Sequence, residues 1–355
     1  MHGDTVVFAA GSRPPCDSAL ELALQVAERA PNLRLVWLGP RSRSHFLDLP
    51  PFIYARPRSI GHVAELARAR LIITTHGARR LGFKAPPILQ TFHGIPIKRL
   101  GRRNLRYDAL TKEAGQSVRA RRWDFIVSPS ESYEMEVVEA QSWRGVRIRV
   151  PLPRYSLTQR VRREDSRLRL RHKLGLDPST KIVLFAPTYR AAHDLGSFDP
   201  MSTHQLLARL LRDEYFVLDR RHYAHPTERS EETLSKELRT EDSLLVLSAC
   251  DFLVTDYSSL TVDAAFLDTP TVLLVPDIDV YERSPGFTIP LRRSASTMLT
   301  SCVASAAEQI AEGIGKGFAP GFRQELLSIA GLPHDPLSVL PSPFERDSDL
   351  AAILG

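Results

Sequence analysis

The chain has 355 residues, 43% of them hydrophobic and 25% charged, which suits two globular domains and excludes wholesale disorder and fibrous architectures. Lysine and arginine outnumber aspartate and glutamate by 47 to 41, a formal charge of +6, so an anionic partner is favoured: a phosphate-bearing substrate, an acidic membrane face or nucleic acid. Cys16, Cys250 and Cys302 are far apart and lack any C-x-x-C spacing, so neither a disulfide framework nor a zinc site is expected and the setting reads as reducing and cytoplasmic. No export signal is visible, and the longest apolar runs fall far short of the roughly 18 residues a membrane-spanning helix needs. Membrane contact is therefore expected to be peripheral.

Along the chain, apolar β-branched runs alternate with helix-compatible stretches. Residues 6–8 predict a strand, 18–29 a helix, 33–38 a strand, 61–69 a helix and 71–74 a strand. Buried strands follow at 88–91 and 125–128, the second running into Pro129-Ser130-Glu131, a helix start with proline early and an acid in the first turn. Residues 151–173 change character: Pro151 and Pro153 precede Arg160, Arg162, Arg163, Arg167, Arg169 and Arg171, a basic connection that marks a domain boundary. A second alternating series predicts strands at 181–185, 215–218, 244–247, 252–255 and 271–275. Helices are expected at 203–212, entered through Ser202-x-x-Gln205 as a capping box, and at 259–267. The proline-rich stretch 331–347 reads as a tail lying over the surface. The expectation is an α/β protein of two Rossmann-like domains, 1–160 and 161–335, with a tail over 336–355.

Four segments at predicted strand ends carry chemistry. In Gln90-Thr91-Phe92-His93-Gly94-Ile95-Pro96-Ile97-Lys98, His93 has the one side chain whose ordinary pKa suits proton acceptance near neutrality, and Gly94 leaves room for a substrate against the backbone. A histidine merely hydrogen-bonded within a turn explains the same residues. Thr255-Asp256-Tyr257-Ser258-Ser259 reads as a strand, a turn and a helix start, a place where hydroxyls and unpaired amides hold a phosphate, although Ser258 could equally be a simple helix cap. Phe185-Ala186-Pro187-Thr188-Tyr189-Arg190 and Arg220-Arg221-His222-Tyr223-Ala224-His225-Pro226 offer further cations and hydroxyls. The basic clusters at 98–106, 119–122 and 160–171 lack interleaved aromatics and any nucleic-acid-binding signature, so nucleic acid is not expected and an anionic lipid surface is preferred.

In this order and spacing the segments resemble the CDP-glycerol glycerophosphotransferase family, cytoplasmic enzymes that prime or extend wall teichoic acids and related poly(polyol phosphate) chains. The resemblance is carried by His93-Gly94-Ile95-Pro96-Ile97-Lys98-x-x-Gly101, Ala186-Pro187-Thr188-Tyr189-Arg190, His225-Pro226 and Thr255-Asp256-Tyr257-Ser258-Ser259. A softer echo is Asp279-x-Tyr281-x-x-x-x-Gly286-Phe287. It implies two Rossmann-like domains of glycosyltransferase-B type facing across a cleft, with the acceptor on the N-terminal side. His93 would deprotonate an acceptor hydroxyl that attacks the β-phosphorus of CDP-glycerol, or of another CDP-polyol, and releases CMP. Ser258, Ser259 and His225 would hold the diphosphate, Thr188 and Arg190 would stand beside the donor, and Asp256 would orient the turn or touch the ligand. Gly94 and Lys98 complete the substrate-binding set.

Tyr223 stands where the family carries an arginine, which leaves Arg220 or Arg221 to replace it. A lipid-linked acceptor, the anionic inner face of the cell membrane, and neither cofactor nor bound metal are the implied surroundings. A nucleotide-sugar glycosyltransferase or epimerase of the same fold, and a noncatalytic lipid- or nucleic-acid-binding protein, are the competing readings.

Overall fold

The computed structural model describes the chain apart from residues 1–2, 12, 58, 77–85, 101–102, 105–122, 142–144, 162, 189–197, 212–213, 221–237, 239–240, 314–316, 336–337 and 355. Strands that are apolar throughout, without alternation, are suited to burial on both faces, and they pair in parallel here. The first unit comprises Met1–Gly94, Tyr107–Val161 and Ile329–Gly355, the second Ile95–Arg106 and Arg162–Ser328.

In the first unit, β1 (Thr5–Ala9), β2 (Arg34–Leu38), β3 (Ile53–Ala55), β4 (Ala69–Thr74), β5 (Ile88–Gln90), β6 (Phe125–Val127) and β7 (Val146–Ile148) form one sheet in the order β3-β2-β1-β4-β5-β6-β7. Every pair is parallel, with Val7 opposite Val36 on one side and Ile72 on the other. Helices α1 (Asp17–Arg29) and α2 (Ile60–Arg68) make two of the crossovers. In the second unit, β8 (Lys181–Phe185), β9 (Tyr215–Asp219), β10 (Phe252–Thr255), β11 (Thr271–Leu274) and β12 (Leu299–Thr300) form a parallel sheet ordered β12-β11-β10-β8-β9. Around it lie α3 (Arg163–Leu174), α4 (Pro200–Leu211), α5 (Ser243–Ser248), α6 (Leu260–Leu267) and α7 (Val303–Gly313). Val183, Phe185, Val254, Leu207 and Ile310 meet in a continuous core.

Several expectations are corrected. The apolar run at 244–247 is a helix: the Asp242 carboxylate accepts the amides of Leu244 (2.9 Å) and Leu245 (3.2 Å), and this cap starts a helix where the apolar run alone cannot tell helix from strand. Helix α4 is entered through Asp199, whose carboxylate accepts the amides of Met201 (3.2 Å) and Ser202 (2.9 Å), rather than through a Ser202–Gln205 box. The C-terminal stretch packs on the first unit instead of trailing over a surface. Phe344, Leu350 and Leu354 are buried, and Arg70 donates to the carbonyls of Ile353 and Leu354 at 3.1 Å each.

The basic connection is α3 with its flanks, and most of its arginines are consumed internally. Arg160 binds Glu21 and Glu28 (2.6 Å each). Arg163 donates to the carbonyls of Ser248 and Leu267 and to the Thr269 hydroxyl, while Arg167 and Arg171 share Asp251 (3.2 and 2.5 Å). These side chains staple helices and cannot also coat a lipid surface. No helix among the described residues is long and apolar enough to cross a membrane.

Asp242 is 1% exposed, so Asp242→Ala strands two buried amides. We expect it to lower unfolding stability by about 1–2 kcal/mol, read as a lower urea midpoint at unchanged slope.

Candidate functional site

The carboxyl ends of parallel strands place two groups of chemistry-bearing residues, one in each unit. In the first unit, β5 ends at Gln90 and the chain turns sharply. Phe92 adopts a left-handed conformation (φ 56°), a strain of order 1–3 kcal/mol for a residue with a side chain. Its ring is held by Trp123 (centroids 5.6 Å, edge-on) and Tyr133 (6.1 Å), and its amide donates to the Gln90 side chain at 3.1 Å. Gly94 follows at φ 155°, a conformation closed to other residues.

The His93 main chain is anchored from below. The Arg154 guanidinium, 2% exposed, donates to the His93 carbonyl (2.6 Å) and pairs with the Asp17 carboxylate (3.0 Å), itself at the start of α1. Asp17 has φ 63° and also faces Arg13 at 3.6 Å. The Arg13 carbonyl in turn accepts the Trp37 indole N–H at 2.9 Å.

The His93 residue is exposed to water, while the protein packed around its ring is enough for desolvation to dominate its titration. Desolvation by the surrounding protein lowers its pKa below the ordinary 6.5, opposed by the Asp17 charge and the Thr75 carbonyl and assisted by Arg154 and Arg13. Nδ1 faces the Thr75 carbonyl at 3.5 Å, which favours the neutral tautomer protonated there and leaves Nε2 as the acceptor. Its neighbour His76, at the end of β4, was not foreseen: the two rings stack with centroids 4.3 Å apart and planes 13° from parallel.

In the second unit, β8 and β10 are adjacent and their terminal loops are tied together. Thr255 Oγ1 donates to the Ala186 carbonyl (2.7 Å) and the Asp256 carboxylate accepts the Thr188 amide (2.8 Å). Asp256 is 1% exposed, so its place is beneath the loops as their tie, not at a ligand-facing surface.

Ser258 and Ser259 are half-buried at the mouth of α6. Ser258 Oγ accepts the Leu260 amide (3.3 Å), and the Thr261 and Val262 amides bond the Ser258 and Ser259 carbonyls. The first-turn amides of α6 are thus engaged. What remains among the described residues are the Ser258 and Ser259 amides and the Ser259 hydroxyl, which make no hydrogen bond, at the positive end of the helix.

Tyr257 supports this turn: it stacks on Tyr281 (4.0 Å, 22°), lies 5.4 Å from Phe287 and donates to Asp277 at 2.9 Å. The Tyr281…Gly286-Phe287 echo is therefore a platform under the serines. The segment after His93-Gly94 belongs to this same unit. Lys98 bridges Phe287, Arg99 N donates to the Gly286 carbonyl (3.0 Å) and Thr288 N to the Ile97 carbonyl (3.0 Å).

Arg220, one of the two candidates for the diphosphate grip, donates from its buried guanidinium to the carbonyls of Leu238 and Glu241 and is thereby held within the second unit's interior. Arg190, Arg221 and His225 lie outside the described residues.

Two parallel α/β units of this topology define a protein of the glycosyltransferase-B fold class. Residues 1–314 match the family described as CDP-glycerol:poly(glycerophosphate) glycerophosphotransferase, and the chain belongs to that family.

A teichoic acid poly(glycerol phosphate) polymerase of Bacillus spizizenii is 28% identical over 70% of this chain and 67% of its own length. The polymerase of the same name from Bacillus subtilis is 27% identical over 80% of this chain, which spans only 40% of that longer protein. Among solved structures, a variant of the wall teichoic acid polymerase TagF soaked with CDPG superposes with a TM-score of 0.75 at 19% identity, over 99% of this chain and 88% of that one. The shared fold follows.

Removing the Arg154 guanidinium leaves Asp17 and the His93 carbonyl without it in a buried setting. We expect Arg154→Ala to destabilise the first unit by about 3–5 kcal/mol, measurable by denaturant unfolding followed through Trp37 and Trp123 fluorescence.

Proposed function

We propose that the chain transfers a glycerol-phosphate unit from CDP-glycerol to a hydroxyl of a membrane-linked acceptor, releasing CMP, in the synthesis of teichoic acid or a related cell-surface polymer. Family membership supports the reaction class. The observation that carries the chemistry is the accessible His93 imidazole, its pKa depressed by desolvation and its Nδ1 turned to a backbone carbonyl. At neutral pH such a ring is unprotonated and presents Nε2 as a base.

The acceptor O–H gives its proton to Nε2 as its oxygen forms a bond to the β-phosphorus. The bond from that phosphorus to the bridging oxygen breaks, and CMP departs with the electron pair. Phosphoryl-type transfer asks for alignment and for donors to the non-bridging oxygens rather than for covalent help. The Ser258 and Ser259 groups suit that task, with Lys98 and Thr188 beside them and His225, Arg190 and Arg221 added on sequence grounds. In this proposal the first unit serves the acceptor and the second the donor. The protein works on the cytoplasmic side, held peripherally at the inner membrane face by its acceptor and by anionic lipid.

Purified protein given CDP-glycerol or CDP-ribitol and a lipid-linked acceptor should release CMP; a folded sample inert with both donors would refute the assignment. His93→Ala should lower kcat by roughly 10²–10⁴-fold, the usual share of a general base, while calorimetric binding of CDP-glycerol persists. Because the base is active when neutral and burial lowers its pKa from the ordinary 6.5, kcat/KM should fall as pH is lowered with its midpoint on the acid side of 6.5. A decline centred above 6.5 would remove His93 from the role.

A further inference from the structure

The sequence writes one signature twice: Thr74-Thr75-His76-Gly77 leaves β4 and Thr91-Phe92-His93-Gly94 leaves β5. These strands are hydrogen-bonded neighbours, with Ile73 opposite Leu89, so the two imidazoles emerge at the same sheet edge and lie face to face. We propose that His76 is a positioning residue for His93, its ring serving as the plate that fixes the plane of the base and hence the direction in which Nε2 points. The inference rests on the base role given to His93 above.

The backbone restraints around His93 do not reach its ring. Phe92, Gly94 and Arg154 fix where the Cα and the carbonyl sit, but the ring torsion of a histidine is broad and roughly two-fold. The polar contact of the ring, Nδ1 to the Thr75 carbonyl, is 3.5 Å long, at the outer limit of a hydrogen bond and a weak orienting force. That torsion therefore leaves the plane of the ring, and with it the line of Nε2, loosely set. The parallel stack at 4.3 Å holds the ring plane, so tipping out of it costs the contact between the faces.

His76 is itself fixed. Its Nδ1 lies 2.6 Å from the Thr75 hydroxyl, so Thr75 serves both rings, one through its side chain and one through its carbonyl. Gly11, at φ 65°, lies alongside: a Cβ there would stand 3.6 Å from His76 Cγ, so a longer side chain would press on the ring. The charged groups around His93 are Asp17, Arg154 and Arg13.

Full-length His76→Ala and His76→Phe test this. His76→Ala should keep its thermal unfolding midpoint and its CDP-glycerol affinity yet lose kcat by roughly 10²-fold, the scale of loss for a misplaced reacting group. His76→Phe restores a flat partner and should recover most of the rate. In ¹⁵N-histidine spectra, His93 should show one tautomer in the wild type and in His76→Phe, and averaged tautomers in His76→Ala. Wild-type rate and spectra in His76→Ala, or equal losses in both variants, would overturn the proposal. If no variant and no wild type turns over CDP-glycerol, the function assignment fails, while the spectra still decide whether the stack orients the ring.

Discussion

A buried guanidinium bonded at once to a carboxylate and to the backbone of His93 is the interaction that fixes the β5 loop of the first unit. Arg154 joins Asp17, on the first turn of α1, to the carbonyl of His93, beyond β5. An ion pair so enclosed is a poor source of net stability, since desolvating both charges offsets most of their attraction. Its value lies in specificity: the pair has one low-energy arrangement, and that arrangement sets the height at which the β5 loop leaves the sheet. The left-handed Phe92, strained but wedged between Trp123 and Tyr133, then turns the chain so that the next ring lies against His76 and the Thr75 carbonyl.

The second unit solves a different problem with neutral groups. Holding an anion would need donors that are unspent and a backbone that does not move. The first is met because the α6 amides are closed by the serine carbonyls and Ser258 Oγ, which leaves the serines' own amides outward. The second is met by stacking Tyr257 on Tyr281 and by tying the neighbouring loop through Asp256. Lys98 reaches this unit by main-chain pairing beside Phe287, so a motif that begins with the imidazole of one unit ends fastened to the platform of the other.

Strands β1, β4, β8 and β10 were legible because buried parallel strands are short apolar runs bounded by polar turns, and the site loops were legible because they follow those runs. The failures have specific causes. At 244–247 an apolar run of strand length is a helix because Asp242 caps it, a side-chain bond that periodicity cannot register. The stretch 331–347 and the tail over 336–355 look like a surface appendage because their anchors, Arg70 and Gln25, are hundreds of positions away. His76 is not marked by the motif that marks His93, since no Pro or Lys follows its Gly77 as Pro96 and Lys98 follow Gly94. The signal, a second Thr-x-His-Gly at the next strand end, was present in the letters.

The sign of the net charge also misleads when read by cluster. The arginines of 160–171 form a long basic run, yet four of them bind carboxylates or backbone carbonyls within their own unit. Arginine suits such work because its planar fork can serve several acceptors at once with little loss of freedom per bond. A cation whose donors are filled by a carboxylate contributes little field beyond its partner, so an excess of basic residues becomes an attraction for anions only where the charges are exposed. Of this run, Arg169 is exposed. The affinity for anionic ligands that the composition suggests must therefore be sought at the strand ends, where donors are few but unspent, rather than along the helix where cations are many and already engaged.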